Sequence, residues 1–224
     1  MEIIAHIYTD FPEKFGIPRQ SGLVDALAGR IIFEPEYRTP EAFRGLEGFS
    51  YIWILWEFSE AKRDKWVATV KPPRLGGNQR MGVFATRSPF RPNSIGLSSV
   101  KLDRVEMTGE YGPVLYVSGI DMMDGTPIYD IKPYLPYTDS HQEAQAGFAE
   151  EVYAHALEVT FPETLLFKIS EDKREALLAL LRQDPRPAYQ NDPERIYGVA
   201  FAGYNIRFTV HEDSLVVCSV DFIK

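Results

Sequence analysis

The sequence predicts a mostly β protein whose N-terminal part is a barrel or a sandwich, followed by a smaller α+β domain. Short apolar runs separated by turn residues fill the chain up to residue 135, and segments such as 98–101 and 115–117 alternate between apolar and polar side chains. Helical patterns are concentrated after Tyr137. Evenly spaced short strands are typical of barrels and sandwiches, and alternation is typical of strands with one face in water.

The predicted strands of the N-terminal part lie within the apolar runs 3–8, 31–33, 51–58, 81–84, 95–102, 114–120 and 128–131. Between the second and third runs, Pro40 and Gly45 bracket a segment that predicts one brief helix, because proline favours the first turn of a helix and glycine favours its end. We find no repeat of 20 to 50 residues, so a solenoid or a propeller is not predicted.

After residue 137 the composition shifts toward helix-forming residues. The segment 139–156 is rich in Ala, Glu and Gln and has apolar residues at fourfold spacing, which indicates a helix. Ser170, followed by two acidic residues, predicts the start of another helix. Its apolar face consists of Leu177, Leu180 and Leu181, and it should end at Asp184, which precedes a proline. We place the domain boundary between residues 1–140 and 141–224.

The last two apolar runs, 206–210 and 215–222, predict a hairpin around Glu212 and Asp213. Cys218 lies in the second run, where we expect a small buried hydrophobic side chain. The four histidines lie far apart and have no close Cys or His companion, so we expect no metal site.

The composition is that of an ordinary globular protein. The chain has 224 residues, of which 45% are hydrophobic and 13% aromatic, enough to bury a core in one large or two small domains. No apolar run approaches the roughly 20 residues of a membrane-spanning helix. The first ten residues contain an acid and no basic region, so they do not resemble a targeting signal. We therefore expect a cytoplasmic protein that does not associate with membranes.

A strongly basic stretch stands out in a chain whose formal net charge is −8. Between Lys62 and Arg91 there are eight basic residues and the single acid Asp64, a local balance of +7. The stretch is either a solvated surface that balances acids elsewhere or a site for phosphates or RNA, because clustered basic residues supply the electrostatic part of such binding.

Two loop segments combine glycine and proline with polar side chains. The first is RLGGNQRMGVFATRSPFRPNSIGL at 74–97, where prolines stiffen a loop that carries Arg87, Arg91 and Asn93. The second is DMMDGTPIYDIKPYLPYTD at 121–139. Each segment is either a rigid site or an ordinary structural element. For the first, the structural alternative is a barrel closure whose arginines pair with acids. For the second, it is a loop followed by an edge strand.

Familiar nucleotide-binding and hydrolase motifs are absent from the sequence. It contains neither G-x-G-x-x-G nor G-x-x-x-x-G-K-[ST], and neither G-x-S-x-G nor H-E-x-x-H. The residues alone therefore predict a β-rich protein with a rigid site, lined by Arg, Pro and Gly, for an anionic or nucleotide-like ligand.

The strings GVFATRSPFRPNSIGLS at 82–98 and DGTPIYDIKPYLPYTD at 124–139 resemble the motifs of the TrmO family, also called TsaA-like or YaeB-like proteins. KFGIPRQSGLV, FRGLEGFS, VKPPRLGGN and DPRPAY extend the resemblance over nearly the whole chain. The resemblance implies a single-sheet β-barrel, a small C-terminal domain and a homodimer. It also implies S-adenosylmethionine-dependent methyl transfer to the exocyclic N6 of threonylcarbamoyladenosine at position 37 of tRNA, next to the anticodon.

The resemblance also implies a set of site residues. We expect S-adenosylmethionine to be bound by Pro18, Arg19, Gln20, Ser59, Glu60, Arg87, Leu97, Asp124, Gly125, Thr126 and Pro127. Arginine can bind a carboxylate through two parallel hydrogen bonds, which suits Arg87 to the methionine carboxylate. Several relatives have histidine where this chain has Tyr51 and Ser59, and proline where it has Ser94, so this chain departs from the family pattern at those positions.

Candidate catalytic residues are Asn93, Asp130 and Arg91, and candidate tRNA contacts are Lys132, Arg186 and Tyr189. The urea nitrogen of threonylcarbamoyladenosine is a poor nucleophile, so an acceptor for its proton would help, and Asp124 and Asp130 are the carboxylates considered. Two alternatives remain open: a non-catalytic barrel that senses a nucleotide-like ligand or docks a partner, and a methyltransferase with another acceptor.

Overall fold

The computed structural model describes residues 1–61, 65–72, 79–152, 156–186 and 192–223, and for residues 150–152 it describes the backbone alone. Six antiparallel strands close into a barrel, which confirms the predicted fold class. In spatial order around the barrel they are β1 (Ala5–Thr9), β2 (Ala28–Phe33), β7 (Val114–Ser118), β6 (Ile95–Glu106), β3 (Tyr51–Glu57) and β8 (Thr126–Pro133).

Alternation along the strands separates the inner face of the barrel from the outer one. In β3, Ile52, Ile54 and Trp56 are buried while Tyr51 is exposed, as a period of two requires. In β6, Gly96 lies opposite Trp56, and a Cβ atom at Gly96 would lie 2.2 Å from the Trp56 ring. Because Gly96 has no side chain, there is room for the indole ring of Trp56.

A two-stranded ribbon projects from the barrel between β3 and β6. It consists of β4 (Thr69–Val70) and β5 (Met81–Gly82), which pair antiparallel. The backbone N–H of Val83 continues the pairing by donating to the carbonyl of Ala68 at 2.9 Å. The Val83 side chain is buried, so the ribbon is anchored at its base. The basic stretch predicted from the sequence includes this ribbon.

The C-terminal part is a four-stranded sheet with a helix packed beside it. The spatial order is β10 (Tyr197–Phe201), β11 (Tyr204–His211), β12 (Ser214–Phe222) and β9 (Glu158–Thr160), with β9 parallel to β12. Three α-helices are present in the described residues: α1 (Pro136–Asp139), α2 (Glu163–Leu166) and α3 (Glu171–Arg182). None of the described helices is long and apolar enough to span a membrane.

The barrel and the C-terminal sheet share one hydrophobic core. Phe11, just after β1, and Phe201, at the end of β10, are both fully buried, with ring centroids 5.4 Å apart. Asp10 reinforces this contact twice, because its carbonyl accepts from the N–H of Ala202 at 2.9 Å and its carboxylate pairs with Lys173 of α3 at 2.7 Å. The two regions therefore hold each other in place at the end of β1.

The elements predicted for the C-terminal part are partly correct. Helix α3 begins after Ser170 and buries its predicted leucine face, but it ends at Arg182, since Asp184 has a positive φ of 51°. The hairpin between β11 and β12 forms as predicted. A brief 3-10 helix, Pro40–Phe43, occupies the segment predicted to be helical between β2 and β3.

Two predictions from the sequence are wrong. The segment 139–156 does not form one helix in its described part, where α1 is followed by turns and a 3-10 helix at Gly147–Val152. Cys218 is exposed rather than buried. The period of β12 puts Leu215 and Val217 in the core and turns Cys218 to solvent, so the apolar run belongs to a strand with one wet face.

Candidate functional site

Two loops predicted from separate sequence motifs meet beside the barrel. One carries Pro18, Arg19 and Gln20, and the other carries Arg87. The Arg87 guanidinium donates a hydrogen bond from Nη1 to Oε1 of Gln20, whose own Nε2 donates to the carbonyl of Arg19. Pro18 is buried, whereas the positively charged side chain of Arg87 is exposed and accessible to a ligand. The structure thus brings four of the predicted cofactor residues together.

The loop that follows Arg87 is fastened by its own side chains. Arg91 donates from Nη1 to the carbonyls of Thr86 at 2.8 Å and Ser88 at 3.4 Å. Ser94 donates its hydroxyl to the carbonyl of Pro89 at 3.3 Å, so the residue that departs from the family pattern bridges the loop. These hydrogen bonds of Arg87 and Arg91 go to neutral oxygen atoms, unlike the acid pairs that a simple barrel closure would use.

A buried chain of hydrogen bonds lies under this site, and the sequence did not predict it. The indole N–H of Trp56 donates to Oγ of Ser98 at 2.9 Å, and that hydroxyl donates to Oδ1 of Asp121 at 2.6 Å. The Ser21 backbone is also a hydrogen-bond partner of the Asp121 carboxylate. In the sequence, the one sign of this arrangement is that the acidic residue Asp121 stands between two apolar residues, Ile120 and Met122, which are both buried.

The packing around Asp121 changes its acidity. Burial raises the pKa of Asp121 to about 6, although hydrogen bonds from Ser98 and Ser21 and the positive charge of Arg87 act in the opposite direction. Near neutral pH the carboxylate is therefore mostly ionised, and its negative charge interacts with the positive charge of Arg87, the residue that contacts Gln20. Asp121 is an ionisable group with a perturbed pKa beside the predicted cofactor loops, which is typical of functional sites.

The DGTP turn uses most of its polar groups to hold itself and β1. Asp124 accepts the N–H of Thr9 at 2.9 Å through Oδ1, and the N–H of Gly125 donates to the carbonyl of Ile7 at 2.8 Å. Thr126 is buried and donates its hydroxyl to the carbonyl of Met123 at 2.7 Å, while Pro127 is buried in β8. Gly125 has a φ of 73°, which requires glycine at this turn.

Three other predicted residues share the outer face of the barrel. Leu97 of β6 and Asp130 of β8 both lie opposite Leu55 of β3, on its two sides. Leu97 is half exposed. Lys132 pairs with Asp130 at 2.8 Å, and the second oxygen of Asp130 accepts its neighbour's N–H. An apolar side chain and an ion pair are thus brought together on this face.

The remaining candidates lie at the edges of the site. Ser59 and Glu60 form an exposed 3-10 turn at the end of β3, and Asn93 is exposed beside it, because the N–H of Phe58 donates to the carbonyl of Ser94 at 2.9 Å. The turn at Ser59 and Glu60 therefore lies near Asn93.

The predicted tRNA contacts of the C-terminal part have a different setting from the one expected. Arg186 is only 8% exposed, and two of its nitrogens bind the two carboxylate oxygens of Asp184 at 2.8 and 2.9 Å. Its carbonyl accepts from Arg19 at 3.3 Å, and its Nη1 has no hydrogen-bond partner among the described residues. A phosphate could reach this guanidinium only by opening the loop. Tyr189 lies outside the described residues.

The site defines a class of protein: a small closed barrel with a rigid arginine loop suited to an anionic or nucleotide-like ligand. No cluster of three or more potential metal ligands occurs among the residues with a described position. The chain belongs to the TrmO family, since residues 6–140 match the tRNA-methyltransferase O N-terminal domain and residues 154–223 match the TrmO C-terminal domain. This confirms the resemblance inferred from the motifs.

Individual relatives agree with the family match. A tRNA (adenine(37)-N6)-methyltransferase of Escherichia coli is 41% identical over 98% of this chain and 97% of its own length. A putative S-adenosylmethionine-dependent methyltransferase of Pseudomonas aeruginosa is 43% identical over 88% of this chain and 86% of its own length. A crystal structure of TrmO from Pseudomonas aeruginosa superposes with a TM-score of 0.79 at 34% identity, covering 99% of this chain and 95% of the other.

Proposed function

We propose that this protein transfers a methyl group from S-adenosylmethionine to N6 of threonylcarbamoyladenosine at position 37 of tRNA. The observation that carries the proposal is the match along 98% of the chain to a tRNA (adenine(37)-N6)-methyltransferase. The threonylcarbamoyl group on the acceptor follows from the motif resemblance, and the contact between Arg87 and Gln20, two residues expected at the cofactor, supports the proposal.

The residues of the site fit the chemistry of the cofactor, which carries a carboxylate, a sulfonium and a nucleoside. The exposed guanidinium of Arg87 suits the carboxylate. Gln20, Arg19, Pro18 and the backbone near Ser59 and Glu60 offer polar edges for the nucleoside, with Leu97 as an apolar wall and the DGTP turn as a rigid boundary. Asp121 adds a negative charge beside Arg87, which favours a ligand that also carries positive charge.

For the transfer itself, the main contribution of the protein is alignment. Holding nitrogen, methyl carbon and sulfur in line can supply up to roughly 7–11 kcal/mol in favourable cases. Asn93 and Arg91 are placed to hold the acceptor base, and Asp130 is the proposed proton acceptor, held in place by Lys132 at 2.8 Å.

We further propose that the protein works as a homodimer, as the family resemblance implies, and that it works in the cytoplasm without a metal, as we expect from the sequence. The tRNA contacts proposed from the motifs are Lys132, Arg186 and Tyr189. Of these, Lys132 is the exposed one among the described residues, and Arg186 requires the loop around Asp184 to open before it can pair with a phosphate.

The test is transfer of labelled methyl groups to two tRNA pools, one containing threonylcarbamoyladenosine and one lacking it, followed by nucleoside analysis. We expect label in that nucleoside from the first pool alone. Label in an unmodified adenosine or in another molecule would establish a different acceptor. No transfer at all, with cofactor binding intact by calorimetry, would indicate a ligand-sensing barrel instead.

A further inference from the structure

Two large aromatic side chains are exposed together beside the two-stranded ribbon, one shortly before β4 and the other shortly after β5. Trp66 is 51% exposed and Phe84 is 71% exposed, and their rings stack with centroids 6.1 Å apart and an interplanar angle of 28°. Exposed apolar groups of this size that lie together mark binding surfaces in soluble proteins. No role assigned so far uses either ring.

The backbone holds the two rings side by side. Trp66 lies two residues before Ala68 and Phe84 directly follows Val83, and the N–H of Val83 donates to the carbonyl of Ala68 at 2.9 Å. Val83 is buried, and the Thr86 hydroxyl closes the turn by donating to its carbonyl at 2.9 Å. The pair is therefore presented on a fixed support rather than on two independent loops.

A cation completes the group. The guanidinium carbon of Arg91 lies 6.0 Å from the centroid of the Phe84 ring, and the same side chain is held by the carbonyl of Thr86 at 2.8 Å. Because Arg91 and Arg87 belong to one loop, this group, hereafter the aromatic platform (Trp66, Phe84 and Arg91), adjoins the loop that contacts Gln20.

The charge around the platform is of one sign. The described stretches 65–72 and 79–102 contain no acidic residue and carry Lys65, Lys71, Arg80, Arg87, Arg91 and Lys101. The chain as a whole has a net charge of −8, so a polyanion is repelled from most of the surface and attracted here. Stacked rings beside arginine in a cationic setting have the chemistry that binds unpaired nucleobases along a phosphate backbone.

We propose that the aromatic platform is a stacking site for an unpaired nucleobase of the RNA acceptor, flanking the nucleotide that is methylated. The inference rests on the proposed function for the identity of the RNA. The bases of an anticodon loop are unpaired, and stacking one of them on the platform would fix the register of its neighbour against the Arg87 loop. The rings recognise the face of a base, so the contact tolerates different sequences.

The test measures affinity for a fluorescein-labelled anticodon stem-loop RNA by anisotropy. We expect Trp66→Ala and Phe84→Ala each to weaken binding about fivefold to a hundredfold, since stacking contributes about 1–3 kcal/mol per base by alanine substitution. Trp66→Phe and Phe84→Trp keep an aromatic stacking surface, so these variants should retain most of the affinity of the wild type for the RNA. Binding of S-adenosylmethionine, measured by calorimetry, should not change in any of the four variants.

The chain provides a matched control. Phe167 is 66% exposed and lies 5.1 Å from the guanidinium of Arg174, so it is also an exposed phenylalanine beside an arginine. Its neighbours along the chain include Glu163, Glu171 and Asp172, and it lies in the C-terminal part. Phe167→Ala should leave RNA affinity unchanged. Unaltered affinity in both platform alanine variants would overturn the proposal.

Two further readouts separate the alternatives. RNA should quench the intrinsic fluorescence of the wild type more strongly than that of Trp66→Phe, because Trp66 is 51% exposed whereas Trp56 is buried. Sedimentation shows whether the rings instead bind a second copy of the chain: alanine variants that dissociate while keeping RNA affinity contradict the proposal. RNA binding that depends on the aromatic platform, in a protein that transfers no methyl group, would contradict the proposed function. It would still support the platform as a stacking site for RNA.

Discussion

At the scale of single residues, Arg87 of the candidate site contacts Gln20 and interacts electrostatically with Asp121. The resemblance of their motifs to the TrmO family led us to expect Arg87 and Gln20 at the cofactor, with Arg87 suited to a carboxylate. Asp121 could not be predicted, since its environment depends on Ser98 and Trp56, which lie on two other strands. Its sequence neighbours showed only that an acid stands among apolar residues.

Arg87→Ala tests the cofactor assignment. The variant loses a charge-assisted hydrogen bond, a contact typically worth about 1.5–3 kcal/mol, so we expect S-adenosylmethionine to bind roughly tenfold to a hundredfold more weakly by calorimetry. Lys101→Ala removes an exposed positive charge from β6, outside the loop that carries Arg87, and serves as the control. Near-normal affinity in Arg87→Ala would remove this residue from the cofactor site.

Asp121→Asn tests the ionisation of the buried carboxyl. A pKa raised from 3.8 to about 6 means that the folded protein holds this proton more tightly than the unfolded chain does. The resulting stability is present below the unfolded pKa and is lost as the pH rises through the folded one. The free energy of unfolding of the wild type should therefore fall relative to the variant between about pH 4 and about pH 7.

The control for this pH dependence is Asp103→Asn. Its carboxylate also accepts from a serine, Ser118 at 3.1 Å, but lies on the exposed face of β6. Urea unfolding across the pH range should show a difference between the wild type and Asp121→Asn that changes with pH, and Asp103→Asn shows the effect of removing an exposed carboxylate under the same conditions. Parallel curves for the wild type and Asp121→Asn would contradict the raised pKa.

At the scale of elements, β6 connects the core to the site. Its inward residues Gly96 and Ser98 meet Trp56 and Asp121, its outward residue Leu97 lies half exposed, and its first residues follow the arginine loop. A change in the inner packing of this strand therefore reaches the hydrogen-bond chain beneath the site.

Gly96→Ala tests this connection. The new methyl group would lie 2.2 Å from the Trp56 ring, so the indole must move and give up its 2.9 Å hydrogen bond to Ser98. We expect a loss of about 1–3 kcal/mol in the free energy of unfolding, and a shift in tryptophan emission. Gly82→Ala, where a Cβ atom meets nothing within 4 Å, should be close to neutral. An unchanged urea midpoint for Gly96→Ala would contradict the packing described.

Periodicity predicted the elements well where one period dominated a segment. The strands of the barrel and the leucine face of α3 follow their patterns because each element is long enough to bury one face. Cys218 was misassigned because an apolar run does not show which of its residues face water. The helix expected in 139–156 did not form because composition favours helix only weakly, and its described part shows no long buried face.

At the scale of the whole molecule, the barrel and the C-terminal sheet behave as partners rather than as separate modules. The sequence indicated a change in composition after Tyr137, but it contained no sign that Phe11 and Phe201 would pack ring to ring. Contacts between residues so distant in sequence depend on the assembled fold and not on any local pattern. The same is true of the contact between Arg19 and the carbonyl of Arg186.

Phe201→Ala tests the coupling of the two parts. The ring is fully buried 5.4 Å from Phe11, and truncating a buried phenylalanine costs about 3–5 kcal/mol. All three tryptophans, at positions 53, 56 and 66, lie in the N-terminal part, so their fluorescence reports the barrel. We expect the urea midpoint from fluorescence to fall together with the midpoint from circular dichroism. A barrel midpoint equal to that of the wild type would show that the parts unfold independently.

The closure of the barrel between β1 and β8 has a consequence for synthesis on the ribosome. Ala5 pairs with Ile128, so β1 emerges long before the strand that covers its second edge. Phe11, which lies shortly after β1, lacks its contact with Phe201 for even longer, because residue 201 is synthesised later than β8. Pairings this far apart in sequence form slowly, and an uncovered strand edge invites association with other chains. The earliest barrel strand to leave the ribosome is therefore the one that a nascent chain must protect for longest.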